Sequence, residues 1–256
     1  MLHATTDATV IRPSPKEQRP EHTRVASDWS GCLDATAPVT SIRPLDPPAP
    51  SYADTILLLP SLLSGNECAA LVEAAERVGF GATNYPKSYR GNLRLVATDR
   101  ALASALWERL CPFVPASLER RCPPYRGESA PPTETWDAVG LNECFRLAKY
   151  YPTDRFEAHC DAYFERSPGG DTSLYTVNVY LNTLPAGAGG ATRFYARADA
   201  GRAAEAVVDL RLVAEAGLAC VFRQPPDHKL VHDGEAVGPG LVKYLLRTDV
   251  MYRRRA

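Results

Sequence analysis

From Leu141 onward the sequence consists of short apolar runs in which apolar and polar residues alternate. A period of two predicts β-strands that bury one face. Turn signals separate the runs, among them Pro168-Gly169-Gly170, Pro225-Pro226 and Gly238-Pro239-Gly240. The pattern predicts eight strands, at 142–151, 156–161, 173–182, 191–195, 206–213, 218–223, 229–233 and 242–252.

Two helices are predicted before these strands. Ser64 and Glu67 have the spacing of a capping box, and Gly79 supplies a stop signal for the helix that follows them. A second helix is expected after Thr98 or Asp99, because leucines then recur at every fourth position. Short strands after two helices predict an all-β core with flanking helices, arranged as a double-sheet jelly roll.

The rest of the chain is predicted from proline content. The proline-rich segment 111–135 is expected to be a loop. Residues 1–50 contain eight prolines and few large apolar residues, which predicts a flexible arm, or a lid that substrate orders. We therefore expect an arm at 1–50 and a domain at 51–256, with helical support at 61–112 and the jelly-roll core at 141–254.

Charge and cysteine content limit the class of protein. The net charge is −1, which argues against a broad phosphate-binding face, and neither nucleic acid nor a membrane is an expected partner. The seven cysteines are scattered and form no CxxC pair, and no apolar run resembles a signal peptide or a membrane span. These features predict a cytoplasmic protein with reduced cysteines.

The most specific chemical signal is His159-Cys160-Asp161 in the predicted strand 156–161. Side chains at positions i and i+2 of a strand point the same way, so this histidine and aspartate can bind one metal ion while Cys160 faces away. One further histidine would complete the 2-His-1-carboxylate set that suits non-haem Fe(II). The alternative interpretation of an isolated HxD is a capped turn or a hydrogen-bonded strand pair.

The chain has five histidines, which leaves few choices for the second imidazole. His3 and His22 lie in the predicted arm. His228 and His232 have the same strand parity, so both remain open on parity alone.

Further motifs occur in a fixed order between residues 136 and 252. They are Tyr151-Pro152, Phe156-Glu157-Ala158-His159-Cys160-Asp161, Tyr180-Leu181-Asn182, Gly189-Gly190-Ala191-Thr192-Arg193-Phe194, His232-Asp233-Gly234 and Val242-Lys243-Tyr244. This series resembles the prolyl 4-hydroxylase-like branch of the Fe(II)/2-oxoglutarate dioxygenases. The resemblance implies a double-stranded β-helix, which agrees with the strand pattern.

The resemblance also implies a metal site and a co-substrate. His159, Asp161 and His232 would bind Fe(II); His232 is preferred to His228 because Gly234 follows it, as in the family. Lys243 would bind the distal carboxylate of 2-oxoglutarate. O2 would be the second co-substrate, and ascorbate a possible reductant. The presence of Asp161 argues against the halogenating branch and favours hydroxylation with release of succinate and CO2.

Other residues match positions that line such a site or share its strand faces. Tyr151 and Tyr180 are expected to bind 2-oxoglutarate, although packing is an equal alternative. Arg247 lies four residues beyond Lys243 on the same strand face, and would bind substrate, replace Lys243 as the anchor, or form an ion pair with Asp249. The remaining substrate-binding candidates are Arg193, Arg90, Asn92, Arg94 and Asn178.

The predicted substrate is a free amino acid or a small natural-product intermediate, and a peptidyl side chain is the alternative. An AlkB-like nucleic-acid demethylase is a weaker hypothesis, suggested by the arginines at 247 and 253. Two others are a non-catalytic jelly-roll binding module and a zinc hydrolase with Glu157 as general base. The oligomeric state is open.

Overall fold

Two β-sheets face each other and bury aromatic side chains between them. The computed structural model describes residues 24–34, 42–45, 50–121, 133–196, 207–225 and 227–255. Phe194 of one sheet packs edge-on against Phe222 of the other, with ring centroids 5.3 Å apart. The space between the sheets is therefore partly filled by the core and partly available for a site.

The described residues form two α-helices and fourteen strands. The helices are α1 (Gly65–Val78) and α2 (Arg100–Leu110). The first six strands are β1 (Arg24–Ala26), β2 (Ile56–Leu59), β3 (Gly81–Ala82), β4 (Leu93–Thr98), β5 (Ser117–Arg121) and β6 (Thr133–Leu141). The other eight are β7 (Cys144–Tyr150), β8 (Phe156–His159), β9 (Thr172–Tyr180), β10 (Thr192–Tyr195), β11 (Val208–Leu212), β12 (Ala219–Arg223), β13 (His232–Gly234) and β14 (Lys243–Arg254).

Strands β7 to β14 divide equally between the two sheets. The large sheet has the order β1-β4-β7-β14-β9-β12-β2, with β3 and β6 attached at β4 and β14 and β5 attached at β6. The small sheet has the order β11-β10-β13-β8. Each of the eight strands predicted from residue 142 onward overlaps one of β7 to β14. The predicted all-β core with flanking helices, a double-stranded β-helix, is confirmed.

The two faces of the large sheet have different partners. One face packs against the helices, and Leu95 of β4, Leu147 of β7 and Leu102 of α2 belong to the same buried cluster. The other face lies toward the small sheet, where Tyr180 joins Phe194 and Phe222. Alternation along each strand therefore decides which side chains reach the space between the sheets.

Both predicted helices begin at the predicted capping residues. The Glu67 backbone N–H donates to Ser64 Oγ (3.2 Å), and the Ser64 N–H donates to Glu67 Oε2 (2.6 Å), which completes the capping box. Asp99 caps α2 by accepting the Leu102 N–H at Oδ1 (2.8 Å). No helix among the described residues is long and apolar enough to cross a membrane.

Part of the predicted N-terminal arm belongs to the folded domain. β1 pairs in parallel with β4, Trp29 is buried, and its backbone N–H donates to Asp99 Oδ2 (2.6 Å). Ile42 is also buried. Residues 24–34 are therefore fixed by pairing and burial that composition alone does not reveal, and the remainder of the arm, apart from 42–45 and Pro50, lies outside the described residues.

The prediction that 111–135 is a loop is wrong for residues 117–121 and 133–135, which lie in strands. β5 pairs with β6 in antiparallel fashion, and β6 in turn pairs with β14. Pro112 and Pro115 lie outside these strands, and residues 122–132 are outside the described residues. The strand signal was missed because β5 is mostly polar and its pairing comes from tertiary contact with β6.

Candidate metal centre

Three potential ligand side chains meet between the sheets. His159 ends β8, Asp161 lies two residues beyond it, and His232 begins β13. β8 and β13 are antiparallel with His159 opposite His232, so both rings lie on one face, with centroids 4.4 Å apart. One nitrogen or oxygen of each residue lies within 4.8 Å of the others. His228 is not part of this group.

Backbone carbonyls orient both imidazoles. His159 Nδ1 lies 2.8 Å from the Glu157 carbonyl oxygen, and His232 Nδ1 lies 2.9 Å from that of Leu230. A carbonyl oxygen only accepts a hydrogen bond, so each Nδ1 carries a hydrogen, and Nε2 is the nitrogen that can offer a lone pair. Both Nε2 atoms lie near Asp161, at 3.6 Å for His159 and 3.8 Å for His232. The free nitrogens therefore face the carboxylate, as metal ligands would.

Asp161 does not lie in a strand, although the sequence predicted that it would. The strand was predicted to continue to 161, but β8 ends at His159. Asp161 is buried, and its Oδ2 accepts a hydrogen bond from Thr176 Oγ1 (2.8 Å). Arg247 Nη1 lies 3.3 Å from Asp161 Oδ1. The Asp161 carboxylate is therefore oriented by contacts with Thr176 of β9 and Arg247 of β14, and not by its own position in a strand.

The charge states of the three residues suit metal binding. Burial, together with the neighbouring His159, lowers the pKa of His232 to about 4, although Asp161 opposes the change. Burial by itself would raise the pKa of Asp161, but Arg247 and the two imidazoles hold it well below its usual range. At neutral pH the site therefore presents a neutral His232 and a negative carboxylate.

Lys243 is a buried cation in the same pocket. It begins β14 and is 2% exposed, and its Nζ lies 5.4 Å from the ring centroid of Tyr150 and 5.3 Å from that of Tyr180. Its ammonium group has no hydrogen bond or ion pair with another described side chain, and burial lowers its pKa to about 8 while Asp233 and Glu235 oppose the change. An ammonium group in this state favours an anionic partner.

The structure corrects the prediction for Tyr151. Tyr151 is buried in the cluster under the helices and lines a neighbouring cavity of about 270 Å³. Tyr150 faces Lys243 instead, because these two residues are paired across β7 and β14. Tyr180 lies beside the pocket: its hydroxyl donates to Thr192 Oγ1 (2.7 Å), and Thr192 lines the pocket.

Four of the proposed substrate residues line the pocket. They are Arg90, Arg94, Asn178 and Arg247. Arg247 lies between Asp161 and Asp249, at 3.3 Å from each, so the expected pair with Asp249 is present. The guanidinium of Arg90 stacks on the Phe156 ring, 4.4 Å from its centroid.

Three other candidates do not line the pocket: Arg193, Asn92 and Glu157. Arg193 forms a two-bond ion pair with Asp233 through Nε and Nη2, and the Tyr195 hydroxyl donates to the same carboxylate (2.7 Å). Asn92 is buried beside the neighbouring cavity and accepts from Arg90 Nε (3.0 Å). Glu157, the suggested general base of a zinc hydrolase, pairs with Arg155 at 2.5 Å.

Several residues near the three ligands were not predicted as site residues, and three of them have polar side chains that bear on the site. Arg146 and Thr192 line the pocket, and Thr176 holds Asp161. Arg146 is paired with Arg247 across β7 and β14. Strand parity could have suggested Thr176, which lies two residues from Asn178 on β9, but Arg146 required the register between distant strands.

Comparison with known proteins shows which fold the chain has. No protein-family model and no curated protein matches the chain. A viral collagen prolyl hydroxylase from Paramecium bursaria Chlorella virus-1, solved with 2-oxoglutarate, superposes with a TM-score of 0.51 at 17% identity, covering 78% of this chain and 97% of that one. The chain has the prolyl hydroxylase fold.

Two further solved structures support the same fold. A Trichoplax adhaerens prolyl hydroxylase in complex with a hypoxia-inducible-factor peptide fragment gives a TM-score of 0.52 at 14% identity, over 78% of this chain and 84% of that one. HygX from Streptomyces hygroscopicus, solved with nickel and 2-oxoglutarate, gives 0.51 at 12% identity, over 79% and 84%. These proteins differ in their bound partners, so the shared fold leaves the substrate open.

Proposed function

We propose that the chain is an Fe(II)- and 2-oxoglutarate-dependent oxygenase that hydroxylates an unactivated C–H bond of a free amino acid or small natural-product intermediate. The observation that carries this proposal is one pocket with two kinds of groups. His159, Asp161 and His232 converge in it, and Lys243 is buried in it without an anionic partner among the described residues. Succinate and CO2 would be the products of the co-substrate.

The residues present fit a ferrous ion. Two neutral imidazoles and one carboxylate form the donor set of non-haem Fe(II) sites and leave positions for other ligands. Thr176 and the backbone carbonyls of Glu157 and Leu230 orient the three ligands, as outer hydrogen bonds do in metal sites. When bound, iron would supply dioxygen activation coupled to oxidation of 2-oxoglutarate.

The protein residues would bind and orient the co-substrate. Lys243 would form an ion pair with the distal carboxylate of 2-oxoglutarate, in a pocket where such a charge-assisted bond contributes about 1.5–3 kcal/mol. Tyr150, which faces Lys243, and Thr192, which is fixed by Tyr180, would contact the same end. Burial of Lys243 excludes water from this bond and strengthens it.

A peptidyl hydroxylase is the second candidate. Two of the structural neighbours are prolyl hydroxylases, and one of them was solved with a peptide fragment. Tyr85 and Tyr89 are 50% and 37% exposed, and Tyr89 contacts Phe156 at the pocket with ring centroids 5.7 Å apart. Such an aromatic surface beside the site is the observation that favours a larger substrate.

Anaerobic spectroscopy and succinate release together test the proposal. Wild-type protein with Fe(II) and 2-oxoglutarate should develop a weak visible charge-transfer band, and Asp161→Asn should lack it. Asp54→Ala, which removes an exposed carboxylate, is the matched control and should keep the band. A folded protein that binds 2-oxoglutarate with neither band nor succinate release would support a binding module or hydrolase instead.

Succinate release with pooled compounds then separates the substrate classes. We expect stimulation by amino acids or small natural-product acids. Stimulation by prolyl peptides alone would favour the peptidyl hydroxylase, and stimulation by methylated oligonucleotides alone would favour a nucleic-acid demethylase.

A further inference from the structure

Gln224 is a buried amide that lies directly after β12. It is 1% exposed, and its backbone N–H donates to the Leu174 carbonyl oxygen (2.9 Å). Its side chain does not line the metal pocket, but it is hydrogen-bonded to three other buried side chains, those of Ser173, Thr176 and Asp249. A buried polar network in which each member has its partners restricts how those members can be oriented.

Two carboxylates fix the direction of the hydrogen bonds in this network. Asp249 Oδ1 only accepts, so the Gln224 atom that lies 2.9 Å from it is the amide nitrogen Nε2. The other Nε2 hydrogen is donated to Thr176 Oγ1 (2.8 Å). Asp161 Oδ2 also only accepts, so the Thr176 hydroxyl donates its single hydrogen to Asp161 (2.8 Å). The amide therefore directs the Thr176 hydrogen toward the proposed metal ligand.

A second route from Gln224 reaches the other oxygen of the Asp161 carboxylate. Asp249 Oδ1 also accepts a hydrogen bond from Arg247 Nη2 (3.3 Å), and Arg247 Nη1 lies 3.3 Å from Asp161 Oδ1. The five side chains form a closed ring, in which one amide group supports Thr176 on one side and Asp249 on the other. Rotation of the Asp161 carboxylate would therefore break a contact of this ring.

The same amide is joined to the backbone that follows Asp161. Ser173 Oγ donates to Gln224 Oε1 (2.7 Å) and accepts the Phe164 backbone N–H (2.7 Å). The Ser173 N–H in turn donates to the Phe164 carbonyl oxygen (2.8 Å). Phe164 is three residues beyond Asp161, in a segment that lies outside the strands. Gln224 thus supports both the carboxylate and the chain segment that carries it.

We infer that Gln224 is a positioning residue for the metal centre, which holds the Asp161 carboxylate in its metal-binding orientation through Thr176 and through Asp249 and Arg247. The inference rests on the proposed function, because it takes Asp161 to be a metal ligand. Loss of an outer hydrogen bond of this kind weakens metal binding by about 10-fold to 100-fold. Only an amide meets the requirement, because this side chain donates twice through one nitrogen and accepts at its oxygen.

Equilibrium dialysis with Mn(II), without 2-oxoglutarate, tests this role. Gln224→Met has a similar volume but donates no hydrogen bond, and it should weaken Mn(II) binding about 10-fold. Gln224→Glu keeps the shape of the side chain and covers the case in which methionine prevents folding. Even a protonated carboxyl group donates only one hydrogen bond, so Gln224→Glu should also weaken Mn(II) binding about 10-fold.

Asn182→Leu is the matched control, because it also removes a side-chain amide with hydrogen bonds in both directions. Asn182 donates to the Val242 carbonyl oxygen (2.7 Å) and accepts the Tyr244 N–H (2.7 Å), and it does not belong to the ring. This variant should lose stability in urea unfolding and bind Mn(II) as tightly as the wild type.

Two further measurements separate positioning from a general loss of stability. Because Gln224 acts partly through Thr176, Gln224→Met combined with Thr176→Val should weaken Mn(II) binding by about 10-fold to 30-fold, and not by the product of about 100-fold. The electron paramagnetic resonance spectrum of bound Mn(II) depends on the arrangement of its ligands. It should change in Gln224→Met and stay unchanged in Asn182→Leu.

The outcomes distinguish failure of this role from failure of the proposed function. If the wild type does not bind Mn(II), the metal site and the role of Gln224 are refuted together. If the wild type binds Mn(II) and both Gln224 variants bind it equally well, or if Asn182→Leu loses as much affinity, Gln224 is structural and the oxygenase proposal stands. A full product of losses in the double variant would show that Gln224 does not act through Thr176, and would also overturn the inference.

Discussion

Lys243→Met is expected to stabilise the protein and to weaken its binding of 2-oxoglutarate. The residue is 2% exposed and has no ion pair among the described residues. Its pKa falls from 10.5 to about 8, and this change corresponds to about 3 kcal/mol against the ammonium form in the folded state. Methionine fills a similar volume without a charge, so it removes this cost.

The expected gain in the free energy of unfolding is about 1–3 kcal/mol at pH 7, because the ring contacts with Tyr150 and Tyr180 are lost with the charge. Urea unfolding of the protein free of metal and 2-oxoglutarate measures it. Below pH 8 the lysine is protonated in both states, and the gain should be constant. Between pH 8 and 10.5 the folded lysine loses its proton first, so wild-type stability rises and the gain shrinks.

Lys149→Met is the matched control. Lys149 is also buried in the large sheet, but its Nζ lies 2.9 Å from Glu76. Loss of a paired lysine should destabilise the protein. Two results would contradict this reasoning: Lys243→Met lowers stability as much as Lys149→Met, or its effect is independent of pH up to 10.5. Either would show that burial of the Lys243 ammonium group does not lower the free energy of unfolding. 2-Oxoglutarate affinity, measured by calorimetry with Mn(II), should fall about 10-fold to 100-fold in Lys243→Met alone.

Three other predictions follow from local contacts. Thr176→Val removes the hydrogen bond to Asp161 and should weaken Mn(II) binding about 10-fold in equilibrium dialysis; unchanged affinity would contradict the orienting role. Ser64→Ala removes the α1 cap and should cost about 1 kcal/mol in urea unfolding, whereas no loss would mean that Glu67 suffices. Gly189→Ala should destabilise more than Gly187→Ala: both have positive φ, but an added Cβ would lie 2.2 Å from the Ala236 carbonyl oxygen only at Gly189. Equal losses would show that φ alone matters.

The strands of the jelly roll could be predicted because their two faces meet different surroundings. β14 alternates between residues under the helices, such as Leu246, and residues between the sheets, such as Lys243 and Arg247. Because of this difference, residue types alternate along the strand with a period of two, which is visible in the sequence. β1 and β5 are too short to show a clear alternation of apolar and polar residues. They form by pairing with β4 and β6, so the local sequence pattern does not reveal them.

The same reasoning explains which site residues were found. His159 and Asp161 are two residues apart in sequence, but the choice of His232 over His228 depended on the family resemblance; the structure places the three side chains together. Tyr151 was misplaced because its position depends on where β7 ends, and a shift of one residue exchanges the two faces of a strand. Arg146 was missed because only the pairing of β7 with β14 places it beside Arg247.

Asp249 should contribute more to the stability of the metal-free protein than Asp161 does. Asp249 is 1% exposed and accepts hydrogen bonds from Gln224 (2.9 Å) and Arg247 (3.3 Å), with Arg146 at 3.5 Å. Because Arg247 contacts both carboxylates, it keeps Asp249 as a partner when a metal ion takes Asp161. Asp249→Asn removes the carboxylate that contacts Arg146 and leaves Arg247 with Asp161 alone, whereas Asp161→Asn leaves both guanidinium groups in contact with Asp249.

We therefore expect Asp249→Asn to lower the free energy of unfolding by about 2–3 kcal/mol and Asp161→Asn by about 1 kcal/mol or less, in urea unfolding with chelator present. Mn(II) binding should show the opposite order, with the larger loss in Asp161→Asn. The two measurements together distinguish a carboxylate that neutralises Arg146 and Arg247 from one reserved for the metal. If Asp161→Asn were the more destabilising change without metal, Asp161 would be a structural counter-ion, and the metal-site interpretation would lose its main support.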